Sequence, residues 1–225
     1  MALLSSLVAT PLMPPACTLC HDPNTRLFAT VHRRSYFDCP TCRLVFLDPS
    51  QRLDAGAERA HYLTHENDPN DVRYRDFLDR LALPLIDRLP PCAEGIDIGS
   101  GPGPTLSKML TERGFPTAIF DPYFAPNPAV LERTYDFITA TETVEHFYEP
   151  AIEFVRLDHL LRPGGVLGLM TEMVLDERPF PKWHYPRDPT HVSFYRPTTM
   201  EWLAARFHYT LEILRTNIAL FQKSA

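Results

Sequence analysis

The stretch Gly95-Ile96-Asp97-Ile98-Gly99-Ser100-Gly101-Pro102-Gly103 decides how the rest of the chain is read. Its first four residues make a short apolar run that predicts a buried strand. The three glycines after it predict a sharp turn, and residues 105–113 predict the helix the turn leads into, closed by Gly114. A glycine-rich turn from strand to helix is where open α/β sheets hold ligands, because a backbone without side chains can approach them closely. Dinucleotide enzymes use a similar turn. Here the spacing is G-x-G-x-G followed by Pro104, so the third glycine of a G-x-G-x-x-G fingerprint is missing, which disfavours a nicotinamide oxidoreductase.

Outward from this turn, residues 117–120, 135–140 and 165–171 predict further strands, and residues 152–161 a helix. Alternating strands and helices imply a mostly parallel sheet covered on both faces. Residues 71–89 carry Tyr74, Phe77, Leu78, Leu81 and Leu85 at helical spacing, with Pro84 expected to kink or interrupt the helix. At the end, residues 198–207 predict a helix, and residues 210–215 and 218–222 an antiparallel hairpin.

Cys17-Thr-Leu-Cys20 and Cys39-Pro-Thr-Cys42 are two C-x-x-C pairs with 18 residues between them, a spacing that marks a zinc site. Four thiolates close a tetrahedral site and leave no open position, so the Zn²⁺ would be structural. The alternatives are a pair of disulfides or an unmetallated ribbon. Residues 27–31, 35–37 and 44–47 predict three short strands around the pairs. Metal-bound thiolates imply a reducing compartment, and the cytoplasm is expected.

The composition fits a soluble globular protein: 225 residues, 44% hydrophobic and 22% charged. Lys and Arg number 22 against 28 Asp and Glu, and no basic run concentrates positive charge, so a nucleic-acid partner is disfavoured. No apolar run reaches about 18 residues, so no membrane helix is expected. Residues 1–16 read as a flexible or docking arm, 17–48 as the zinc ribbon, 49–70 as a linker, and 71–225 as the main α/β domain.

Residues 97–103 match position by position the acid-x-G-x-G-x-G motif of the class I S-adenosylmethionine-dependent methyltransferases, and the chain resembles that family. The resemblance continues through residues 135–146 and 161–165. Adding the ribbon and residues 191–195, it extends to a bacterial subgroup that fuses a zinc ribbon to this fold. It implies that Asp97, Gly99, Ser100, Gly101 and Gly103 hold S-adenosylmethionine, with Pro122, Tyr123, Thr141 and Glu142 beside them. It also implies that Asp121, at the end of the second strand, accepts hydrogen bonds from two ribose hydroxyls. One departure stands out: only the 13 residues 122–134 separate Asp121 from the next strand, too few for a helix and a third strand.

Methyl transfer from a sulfonium needs alignment more than acid or base. If the acceptor carries a proton that must leave, His146, His191 and Tyr195 are the candidate catalytic residues, with Glu145, His184 and Tyr185 nearby in sequence. The Pro-rich, aromatic segment 173–197 is expected to be a lid over the strand ends, enclosing a small-molecule acceptor. The other readings are a non-catalytic cofactor-binding protein that docks a partner through the ribbon, and a nucleic-acid methyltransferase.

Overall fold

A computed structural model describes residues 14–64 and 68–225. Residues 1–13, most of the expected arm, lie outside them. Strands β1 (Arg26–Val31), β2 (Arg34–Asp38) and β3 (Val45–Leu47) form an antiparallel meander. His32 and Arg33, both at positive φ, make the two-residue turn whose twist matches the strands it joins.

The segment expected to be a linker, residues 49–70, is not all irregular. Within it lies helix α1 (Ala55–Tyr62), started by the Asp54 side chain accepting from the Ala57 amide. Its polar sequence hides the helix because none of its residues is fully buried. Helix α2 (Val72–Ile86) is capped by Asp71 and buries Leu78, Leu81, Ala82 and Leu85 on one face. Pro84 lies in its last turn and does not interrupt it.

There follow β4 (Gly95–Ile98), α3 (Thr105–Glu112), β5 (Thr117–Phe120), β6 (Tyr135–Thr141), α4 (Pro150–Leu160) and β7 (Leu161–Met170). The chain continues through β8 (Ser193–Phe194), α5 (Pro197–Phe207), β9 (Tyr209–Arg215) and β10 (Ile218–Lys223). The main sheet runs β5-β4-β6-β7-β10-β9, parallel through β7, with β10 antiparallel to both its neighbours. Between β5 and β6 there is a short 3-10 turn, Pro128–Glu132, and no strand, so β5 is the sheet's edge as the short spacing required.

Alternation along the strands splits the core in two. Phe137, Val166, Ile218 and Leu220 pack with α2 and α3 on one face. Ile138, Leu167, Ala219 and Phe221 face α4 and α5 on the other. That second cluster runs on without a break into Leu19, Phe37, Leu44 and Phe46 of the ribbon.

The segment 173–197 is not a separate flap. Strand β8 pairs with β3 and completes the ribbon's sheet in the order β1-β2-β3-β8. Phe180, Trp183, Tyr185, Val192 and Phe194 are buried against Tyr36, Val45 and Leu47. The Arg34 guanidinium donates to the carbonyls of Asp188, Pro189 and His191. Proline and aromatic composition suggested an enclosing segment. Its anchor, a strand pair spanning about 150 residues of sequence, is a tertiary fact.

Candidate active site

The carboxyl ends of β4, β5 and β6 open into a cavity of about 830 Å³, within the range of small-molecule sites. The glycine turn forms its floor. Gly99 has φ +72°, and a Cβ there would sit 2.3 Å from the Thr143 side chain. Its amide donates to the Phe120 carbonyl at 2.8 Å, which locks the turn to β5. Asp97 is buried at the end of β4 and accepts from the Thr139 hydroxyl at 2.7 Å. Burial pushes its carboxyl up to about 7; the Thr139 bond opposes this and the charge of Asp121 adds to it.

Asp121 lies at the cavity's edge after β5. One carboxylate oxygen accepts the amides of Tyr123 (2.8 Å) and Phe124 (3.0 Å), and the other accepts Gly101 at 3.0 Å. A carboxylate offers about four lone-pair sites. Three are therefore committed to the protein, and one is left on the oxygen that also holds the glycine turn. Pro122, Tyr123, Ser100, Gly103 and Thr141 also line the cavity. The Ser100 and Thr141 hydroxyls are buried without a protein partner, so both can bond a polar ligand lying along the turn.

One wall comes from α1. Glu58 accepts from Tyr62 (2.9 Å) and Tyr123 (2.7 Å), and the rings of Tyr62 and Tyr123 lie 5.6 Å apart. Sequence reading missed Glu58, Tyr62 and Tyr74, because nothing local distinguishes such residues from any polar helix surface.

The adjoining wall, which α1 meets through Tyr62 against His146 and His61 against Asp188, carries the titratable groups. Glu142 follows β6 at φ +48°, a left-handed conformation that a non-glycine residue holds only where its surroundings enforce it. Burial, then the neighbouring Glu145, pushes its carboxyl up to about 9. The Tyr185 hydroxyl lies 3.1 Å from Glu142 and also bonds Glu145 and Thr171. Having one proton, it can donate to only one of the two acids at a time. Burial and those two charges hold its own titration far above the usual range.

His146 follows on the 3-10 turn Val144–His146, with its Nδ1 3.2 Å from the Thr190 carbonyl. His191 lies before β8, its ring 4.8 Å from that of His146 and its Nδ1 2.9 Å from the Tyr185 carbonyl. Burial holds His191 down to about 4. Asp188, 3.9 Å from His191 Nε2, is held well below the usual carboxylate range: burial acts upward, but the Thr190 bonds and the His191 charge outweigh it.

Of the three candidate catalytic residues, the structure brings His146 and His191 to the cavity beside Glu142, and leaves Tyr195 out of it. Tyr195 is fully buried beneath the wall, donating to the Val144 carbonyl at 3.0 Å and packing edge-on against Phe154. The sequence could not separate it from Tyr185, since both sit in the same aromatic segment. Only the position of the segment relative to β6 decides which hydroxyl meets the acids.

At the ribbon, Cys17 Sγ lies 3.4 Å from Cys42 Sγ and Cys20 Sγ 3.3 Å from Cys39 Sγ, with no disulfide between them. The four thiols form one cluster that could hold a metal ion. Without a cation they cannot all ionise. Burial, chiefly, pushes Cys20 up to about 12, and the bond with Cys17, then burial, pushes Cys42 up as well.

Residues 62–213 match a family model described as a methyltransferase domain, and the chain belongs to that family. Its fold is that of the class I S-adenosylmethionine-dependent methyltransferases. No curated protein matches the chain. Among solved structures it is similar to the 1,6-didemethyltoxoflavin-N1-methyltransferase of Burkholderia thailandensis, crystallised with 1,6-didemethyltoxoflavin and S-adenosylhomocysteine. The TM-score is 0.54 and the identity 15%, over 89% of this chain and 100% of that one. An O-methyltransferase family protein of the same organism matches at TM-score 0.48 and 17% identity. That match covers 69% of this chain but 61% of the other, so this chain spans less than two thirds of its length. Human N-acetylserotonin methyltransferase, in complex with S-adenosylmethionine, matches at TM-score 0.48 and 12% identity, over 78% of this chain and 64% of that one.

Proposed function

We propose that the protein transfers a methyl group from S-adenosylmethionine to a small-molecule acceptor held between the glycine turn and the wall bearing His146 and His191. When bound, S-adenosylmethionine supplies a methyl group on a positively charged sulfur, a good leaving group. The observation that carries the reading is the set of unspent polar groups along the turn, the Ser100 and Thr141 hydroxyls and one Asp121 lone pair, in a cavity of small-molecule size. Asp97, Gly99, Gly101 and Gly103 shape the cradle, Asp121 accepts a ribose hydroxyl, and Pro122 and Tyr123 flank the nucleoside. Glu142 borders the reacting end.

The remaining wall excludes water and orients the acceptor. His191, neutral at physiological pH and flanked by Asp188, can accept a proton from an acceptor hydroxyl or amine, as can His146. Tyr195 supports the wall through packing and its hydrogen bond to the Val144 carbonyl. A phosphate backbone would meet the carboxylates of Glu58, Asp121 and Asp188 in this cavity, which favours a small acceptor over a nucleic acid. No helix among the described residues is long and apolar enough to cross a membrane.

We assign structural zinc to Cys17, Cys20, Cys39 and Cys42. Their sulfurs already stand close to the spacing of thiolates about 2.3 Å from a shared Zn²⁺. On this reading residues 17–48 are the ribbon and 71–225 the transferase, and unbridged thiols suit the cytoplasm. The test is formation of S-adenosylhomocysteine from S-adenosylmethionine in the presence of an acceptor library, followed by mass spectrometry. Methylated product from one acceptor class supports the proposal. Failure to bind S-adenosylhomocysteine at all overturns it.

A further inference from the structure

The cavity wall holds a cluster that methyl transfer does not require. One carboxylate oxygen of Glu145 and one ring nitrogen each of His146 and His191 lie within 4.8 Å of one another. Two pieces of chain, far apart in sequence, are fixed there by the Val192 amide donating to the Glu145 carbonyl at 2.9 Å.

Three features of this cluster point to a cation. First, each imidazole has its Nδ1 against a main-chain carbonyl, Thr190 for His146 and Tyr185 for His191. A carbonyl only accepts, so Nδ1 carries the hydrogen and Nε2 presents its lone pair, as in metal-binding histidines. Second, Glu145 is fully buried, and while one oxygen accepts from Tyr185, the other has no partner. A carboxylate oxygen removed from water is costly unless something positive or hydrogen-donating meets it. Third, Glu142 shares the same tyrosine hydroxyl, and among the described residues neither acid forms an ion pair with Lys, Arg or His. The nearby Glu172 is already engaged by Arg178 and the Trp183 ring nitrogen.

We propose that Glu145, His146 and His191 bind one divalent first-row transition cation at the cavity wall. Two imidazoles and a carboxylate suit Mn²⁺, Fe²⁺, Co²⁺ or Zn²⁺ better than the all-oxygen shells of Ca²⁺ or Mg²⁺. Cation-bound nitrogens and oxygens at about 2.1 Å from the centre stand closer together than these do, so the donors close inward by roughly 1 Å. Three protein ligands leave coordination positions open, and His146 and His191 both line the cavity. If the transferase reading also holds, those positions take an oxygen of the acceptor, and because the cation then holds the imidazole lone pairs it replaces proton transfer to His146 and His191, which makes a hydroxylated acceptor the favoured class. The cation site itself does not depend on that reading. Its donors set it apart from the four-thiol cluster.

The experiment uses the full chain with its ribbon loaded with zinc, titrated with Mn²⁺ and separately with Co²⁺. Uptake of Mn²⁺ is followed by loss of the free-ion electron paramagnetic resonance signal. The bound ion is then examined by pulsed measurements for coupling to imidazole nitrogen. Expected is one Mn²⁺ per chain with imidazole coupling, weakened roughly tenfold or more in Glu145→Gln, His146→Ala and His191→Ala. S-adenosylhomocysteine affinity, measured on the same variants, reports folding independently of the metal. No uptake of either ion beyond the zinc, or a bound ion without imidazole coupling, overturns the proposal. Metal uptake without any S-adenosylhomocysteine binding would instead refute the transferase reading and leave the cation site standing.

Discussion

Replacing Asp121 by Asn separates what this residue does for the protein from what it does for a ligand. In the structure one oxygen takes two amides, Tyr123 and Phe124, and an Asn carbonyl can do the same. The other oxygen takes the Gly101 amide at 3.0 Å and keeps one lone pair for the cavity. In Asp121→Asn that position becomes NH₂, which accepts nothing and faces the Gly101 N–H donor to donor. A hydrogen bond to a charged group contributes about 1.5–3 kcal/mol. Loss of the Gly101 bond should therefore lower stability by about that amount, read as a shift of the urea midpoint. Loss of the ribose bond should weaken S-adenosylhomocysteine binding by roughly 10- to 150-fold in isothermal titration, since 1.4 kcal/mol is about tenfold. The resemblance to the methyltransferase family implies two ribose bonds to this carboxylate. With three sites already committed, one bond is the expectation here. A folded Asp121→Asn protein that binds S-adenosylhomocysteine within about twofold of wild type would refute the reasoning.

Tyr195→Phe should leave methyl transfer intact while costing about 1–3 kcal/mol of stability, because the buried Val144 carbonyl loses its donor; a fall in turnover without loss of stability would return Tyr195 to the chemistry. The protein purified without added metal should contain about one zinc per chain in the ribbon. Cys39→Ser should release it and, because β8 pairs with β3, loosen the wall that carries His191 as well as the ribbon, so acceptor methylation should fall along with hydrogen-exchange protection at residues 192–195. Asp97 holds its proton up to about pH 7 in the folded chain and releases it near 3.8 when unfolded. The folded state thus binds more protons between these values, and this contribution is full below about 3.8 and lost as pH rises through about 7. Asp97→Asn should flatten that slope and stabilise the ligand-free protein on the alkaline side by on the order of 4 kcal/mol, checked by urea unfolding at about pH 5 and about pH 8.

Local chemistry made much of this protein legible. The strand, glycine turn and helix at residues 95–112 need only short-range signals, an apolar run and glycines at left-handed φ, and the structure reproduces them. The missing third strand followed from arithmetic on chain length between Asp121 and Tyr135. The C-x-x-C spacing marked the four cysteines, although the contacts of Cys17 with Cys42 and of Cys20 with Cys39 join the two knuckles through the packing of the ribbon, and the terminal hairpin followed from two adjacent strand patterns. What needed the tertiary structure were the facts set by long-range packing. A polar helix at residues 55–62 became a cavity wall because Glu58 meets Tyr123. The segment expected to be a lid became fixed through the pairing of Val45 with Phe194. The choice between Tyr185 and Tyr195 was made by which hydroxyl Glu142 and Glu145 meet after β6. Sequence carries the torsional and periodic preferences of neighbours, whereas these outcomes depend on which surfaces are buried together, and no residue records that alone.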